Sequence, residues 1–72
     1  MEKIIINPDI RHGKPIIKGT RISVDEVLGA LVGGMTYAEI EAEYGIKKEE
    51  VIAAISYAAS LINNEEFYPL KN

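Results

Sequence analysis

The sequence predicts a mainly α fold: a three-helix bundle behind a short N-terminal β arm or hairpin. Three observations predict it. Two capping boxes, Ser23-x-x-Glu26 and Thr36-x-x-Glu39, each open a run with helical apolar spacing. A third and longer apolar run of the same period fills residues 48–63. Ahead of all three, residues 1–22 show no helical period and consist of short isoleucine runs between turn formers.

In the arm, Ile4-Ile5-Ile6 and Ile16-Ile17 are the strand candidates. Asn7-Pro8-Asp9 and His12-Gly13-Lys14-Pro15 separate them, and Lys18-Gly19-Thr20 follows. β-Branched residues bounded by Asn-Pro, Gly and Pro favour extended chain broken by turns. Two short strands are marginal alone. The arm is therefore expected to pack on the helices or to pair with another copy's arm, with Ile4, Ile5 and Ile6 as the contact candidates.

The first helix is expected at about 24–33, with Val24, Val27, Leu28, Leu31 and Val32 on its apolar side and Gly33-Gly34 stopping it through positive φ. The second, at 36–44, sets Tyr37, Ile40 and Tyr44 on one face and stops at Gly45. The third, at about 48–63, is apolar almost all round. Its only hydrophilic stripe is Glu49, Ser56, Ser60 and Asn63, with Ala53 in the gap. A surface helix of a small protein shows a broader polar face. So narrow a stripe implies burial against a second subunit or a partner protein, with Ile52, Ile55, Ala59 and Ile62 as the contact candidates. Residues 1–64 thus read as one domain and 65–72 as a tail whose apolar residues include Phe67, Tyr68 and Pro69.

Seventy-two residues hold one domain at most, and a chain this short buries a smaller share of its surface than longer ones. It has no cysteine, so a disulfide framework and a thiolate metal site are excluded. Tight helix packing or oligomerisation must supply the stability instead. Hydrophobic residues at 47% and charged ones at 26% fit a globular chain rather than a disordered one. The apolar runs are too short to span a bilayer, and no charged start leads into a long apolar segment. A cytoplasmic protein without membrane contact is expected.

The formal charge of −3 hides an asymmetry. Residues 1–24 carry five basic groups against two acids, whereas residues 25–72 carry three lysines against nine acids. That distribution fits an anion-binding end, or two oppositely charged surfaces that meet. Arg11, Lys14, Lys18 and Arg21, with His12 and Thr20 among them, form the basic cluster. They can hold phosphates through side chains and backbone N–H groups, or pair with the acidic helices of another subunit.

Thr36 to Ala54 has the layout of a helix-turn-helix, whose second helix would enter the major groove behind Lys47 and Lys48. The chemistry fits less well. The outward positions Lys47, Lys48, Glu49, Glu50, Ile52, Ala53 and Ser56 offer no Arg, Asn or Gln for bidentate base contacts, and two glutamates cancel the two lysines. Protein contact is the favoured use of this unit. Enzymatic chemistry has no foothold: His12 is the sole histidine, and with Asp9 it makes only two of the ligands a zinc site needs. No catalytic residue, cofactor or metal is expected.

Four segments carry a family resemblance: Ile6-Asn7-Pro8-Asp9-Ile10, the run from Gly13 to Val24, Gly34-Met35-Thr36-Tyr37-Ala38-Glu39-Ile40, and the run from Val51 to Ala58. Together they resemble the domain of unknown function 433 family over about residues 4–62. The Gly-Lys-Pro-x-Ile-x-Gly-Thr-Arg signature falls on Gly13, Lys14, Pro15, Gly19, Thr20 and Arg21. The resemblance implies a homeodomain-like or winged-helix-like three-helix fold behind a β arm, often dimeric. It also implies the role of antitoxin in a VapBC-type pair, where the toxin is a PIN-like ribonuclease with an acidic, metal-dependent site. Such an antitoxin blocks the nuclease and can bind its own operator. Lys47-Lys48 stand where the family commonly has Ser or Thr opening the third helix, which weakens that cap. The expected function is that of a non-enzymatic, antitoxin-like binding protein, dimeric or of higher order. A DNA-binding regulator using the helix-turn-helix or the basic arm, and a homo-oligomeric interaction module, are the alternatives.

Overall fold

The computed structural model describes residues 3–64. Strands β1 (Ile4–Ile6) and β2 (Pro15–Ile17) pair antiparallel, Ile4 opposite Ile17, Ile5 opposite Ile16 and Ile6 opposite Pro15. Pro15 takes the first position of β2, where a missing N–H is tolerated. After β2 the chain turns through Lys18 to Arg21 and folds back, with Ile17 N–H donating to Ile22 O at 2.9 Å. Three helices follow: α1 (Val24–Val32), α2 (Tyr37–Tyr44) and α3 (Lys48–Asn64). The fold is mainly helical with an N-terminal hairpin, as the spacing predicts.

Both expected capping boxes form. Ser23 Oγ accepts from Glu26 N–H while Glu26 reaches back to Ser23 N–H, and Thr36 and Glu39 repeat the exchange. The end of α1 differs from expectation. Gly33 keeps a right-handed φ of −74° because its N–H still bonds Gly29 O at 2.9 Å. Gly34 alone turns left-handed, at φ 97°. Gly34 N–H then donates to Leu31 O and Met35 N–H to Ala30 O, the paired bonds of a Schellman stop.

The core gathers Ile4, Ile17, Val24, Val27, Ile40, Ile46, Val51 and Ala54, so every element contributes to it. Each of the valine and isoleucine side chains among them stabilises the fold by about 1.5–3 kcal/mol when fully buried. Ile4 was expected on an oligomer surface and is instead 6% exposed inside this core, because its pairing with Ile17 turns both side chains inward. Ile5 is half-buried and Ile6 exposed, so exposure rises along the strand even though Ile4 and Ile6 share one face. Among the described residues no helix is long and apolar enough to cross a membrane. The tail, 65–72, lies outside the described residues.

Candidate functional site

The basic segment is folded onto α1 by its own turns. Asn7 Oδ1 accepts from Asp9 N–H at 2.9 Å, and Ile10 N–H donates to Asn7 O. Arg11, His12 and Gly13 then run left-handed, at φ 53°, 57° and 80°. This is costly backbone for Arg11 and His12, and the contacts made by Arg11 help to hold it. Arg11 Nη1 lies 3.0 Å from Glu26 Oε1 and donates to Arg21 O at 3.4 Å. Lys14 Nζ lies 3.1 Å from Asp25 Oδ2.

The acidic side of this contact is organised by Ser23, which is fully buried at the cap of α1. Its hydroxyl stands within hydrogen-bonding reach of both Asp25 Oδ1 and Glu26 Oε1. Its backbone N–H donates to Glu26 Oε1 at 2.9 Å. Ser23 and then Lys14 hold the Asp25 carboxyl below the usual carboxylate range. For Glu26 the Ser23 backbone bond dominates, assisted by the Ser23 hydroxyl and Arg11 and opposed by burial and by Asp25.

The basic arm was expected to meet acidic helices of another subunit, or phosphate. Two of its cations, Arg11 and Lys14, are engaged with α1 of the same chain. The sequence offers one signal for this, the adjacent acids Asp25-Glu26 in the first turn of α1, but not which cations fold back to them. Thr20 also has an internal task. Its Oγ1 donates to Ile17 O at 2.8 Å and accepts from Ile22 N–H at 2.9 Å, locking the turn. Gly19 supplies that turn with φ 83°.

The other two cations of the cluster differ. Lys18 and Arg21 are exposed, and among the described residues neither side chain meets a carboxylate. They stand three residues apart across the turn that Gly19 and Thr20 fix, so the backbone that carries them is held while no carboxylate among the described residues engages their side chains. Beside the Lys14–Asp25 pair, Pro15, Val24, Leu28, Tyr57, Ala58 and Leu61 line an open apolar groove of about 260 Å³ between the hairpin, α1 and α3. The sequence did not indicate this groove, because it requires the docking angle of α3 on α1.

At the other end, Lys47 and Lys48 are exposed beside Glu49. Lys48 Nζ lies 5.7 Å from the centre of the Tyr37 ring, within range of a cation–π contact. The start of α3 is better held than Lys47-Lys48 suggests, since Glu50 Oε1 accepts from Lys47 N–H at 2.8 Å. The x-x-Glu spacing was the available signal. Of the proposed contact residues on α3, Ile52 is 43% and Ile62 67% exposed, Ala59 is exposed and Ile55 half-buried. Among the described residues no three His, Asp or Glu side chains gather as a metal site, and His12 is exposed.

The profile of the family described as protein of unknown function, DUF433, matches residues 4–58. The chain belongs to the DUF433 family. The match takes in the hairpin, the Gly13–Arg21 signature, α1, α2 and most of α3. No curated protein matches the chain. Among solved structures it is similar to the crystal structure of Rv2018 from Mycobacterium tuberculosis, at 27% identity and a TM-score of 0.66. The similarity covers 72% of this chain but 24% of that one, so the chain spans about a quarter of the length of Rv2018.

Proposed function

We propose that this DUF433 protein is a small non-enzymatic binding module, the antitoxin-like partner of a PIN-like ribonuclease. One observation carries the reading. Within the signature run, Lys14 pairs with Asp25, Pro15 opens β2, Ile17 fills the core, Gly19 takes the left-handed turn and Thr20 locks it. Only Lys18 and Arg21 carry side chains that nothing in this fold uses among the described residues. Cations held on a fixed turn suit a carboxylate-rich partner surface, and a guanidinium can grip a carboxylate with two parallel bonds. The acidic, metal-dependent site of a PIN-like nuclease has that chemistry.

The groove beside the Lys14–Asp25 pair offers such a partner an apolar anchorage as well. The start of α3 gives less support to DNA reading, because Glu49 and Glu50 directly follow its two lysines.

The test is RNA cleavage by a PIN-like ribonuclease encoded beside this protein, titrated with the wild type, Arg21→Ala and Leu28→Lys. Inhibition by the wild type, weakened at least tenfold in both variants, is the expected result. Undiminished cleavage with the wild type, together with salt-dependent binding to upstream DNA, would assign the cations to phosphate instead.

A further inference from the structure

From Val51 to Asn64 the chain of α3 carries no charged side chain, a stretch of fourteen residues. Burial does not account for it. Val51 and Ala54 are fully buried and Ile55 packs partly against the chain's own core, but Ile52 and Ile62 are 43% and 67% exposed, and Leu61, at the groove, is 47% exposed. α3 has seventeen residues against nine in α1 and eight in α2, so its last turns have little helix of this chain to lie against. A helix that is apolar beyond the face its own fold covers needs a second cover.

The residues say which cover fits. Lys48, Ile52, Ile55, Ala59 and Ile62 follow one another at steps of four, three, four and three, the 3.5-residue period of a helix–helix seam. Ile52 and Ile62 lie five residues either side of position 57, and Ile55 and Ala59 two residues either side. A two-fold axis at that level sets Ile52 against Ile62 of a second copy, and bulky Ile55 against small Ala59, both ways at once. From Ile52 to Ile62 the seam offers no charge to a foreign partner, and its order of large and small residues is complementary to itself.

We infer that α3 pairs antiparallel with α3 of a second copy along Ile52, Ile55, Ala59 and Ile62, leaving Lys18 and Arg21 available for the partner. Direction follows from Lys48, the one charged residue on the seam. Parallel helices would bring the two Lys48 side chains together. Antiparallel helices place them eighteen residues apart, about 27 Å at 1.5 Å per residue, and oppose their dipoles favourably. From Ile52 to Ile62 the seam runs about 15 Å. That is short for the ~800 Å² per partner of a stable interface, so the dimer is reversible, with dissociation in the micromolar range.

The pairing does not depend on the ribonuclease partnership and is tested without it. Since the chain has no cysteine, Ile55→Cys and Ala59→Cys can be made singly, mixed in equal amounts and oxidised gently. The expected product is predominantly the mixed disulfide between the two variants. Homodisulfides of each variant in preference would show parallel pairing, and a statistical mixture would show random collision; either overturns the proposal. Sedimentation is the second measurement. The wild type is expected to pass from monomer to dimer across micromolar concentrations, with Ile62→Glu at least tenfold weaker in association. A wild type that stays monomeric to hundreds of micromolar also overturns it.

Discussion

At the level of single residues, the basic segment divides into cations that hold the fold and cations that do not. Arg11 ties the left-handed turn to Glu26 and to the Arg21 carbonyl, yet both side chains of the ion pair are more than a third exposed. Arg11→Ala is therefore expected to cost about 1 kcal/mol or less, a fall of ~4 °C or so in Tm on thermal unfolding. Ser23 is buried, and its hydroxyl both accepts from Glu26 N–H and donates to a neighbouring carboxylate, so Ser23→Ala is expected to cost more, about 1–2 kcal/mol. Asp25 and Glu26 titrate lower in the folded chain than in the unfolded one. The stability they lend is present above the usual carboxylate range and is lost as pH falls through their lowered folded values. Tm is expected to drop between about pH 5 and pH 2, and Asp25→Asn combined with Glu26→Gln to flatten that drop. The sequence shows the opposite charges of the two segments. It does not show that Arg11 reaches Glu26, because that contact depends on a left-handed turn through two non-glycine residues.

Elements were more legible than contacts, and the reason is local chemistry. Capping boxes and stop glycines are read within four residues, so both Ser23 and Thr36 open helices where their spacing says they should. Errors arose where two candidates compete nearby. Gly33 and Gly34 are equally able to turn left-handed, and the choice fell to Gly34 because Gly33 N–H still had a helical acceptor. Ile4, Ile5 and Ile6 have identical side chains and Ile4 and Ile6 share one face of β1, so only the extent of the helices packed along that face decides that Ile4 enters the core and Ile6 does not. The turn after β2 gives an element-scale prediction. A methyl group at Gly19 meets nothing within 4 Å, so the cost of Gly19→Ala is purely that of φ 83°. About 1–2 kcal/mol is expected from equilibrium denaturation, with the fold unchanged by circular dichroism.

Across the whole molecule, the short chain places its hairpin and helices around one small core and leaves apolar surface on α3 and in the groove beside α1. Low charge on α3 was visible in the sequence, whereas the groove was not, since it is made jointly by β2, α1 and α3. The separation of structural from partner-facing cations is the central proposal, and two variants measured in parallel test it most directly. Melting temperature and affinity for the PIN-like ribonuclease are determined for Arg11→Ala and Arg21→Ala. The predicted result is a crossed pattern: Arg11→Ala lowers Tm and keeps its affinity, and Arg21→Ala keeps its Tm and loses affinity at least tenfold. Loss of Tm in Arg21→Ala with affinity intact would contradict it.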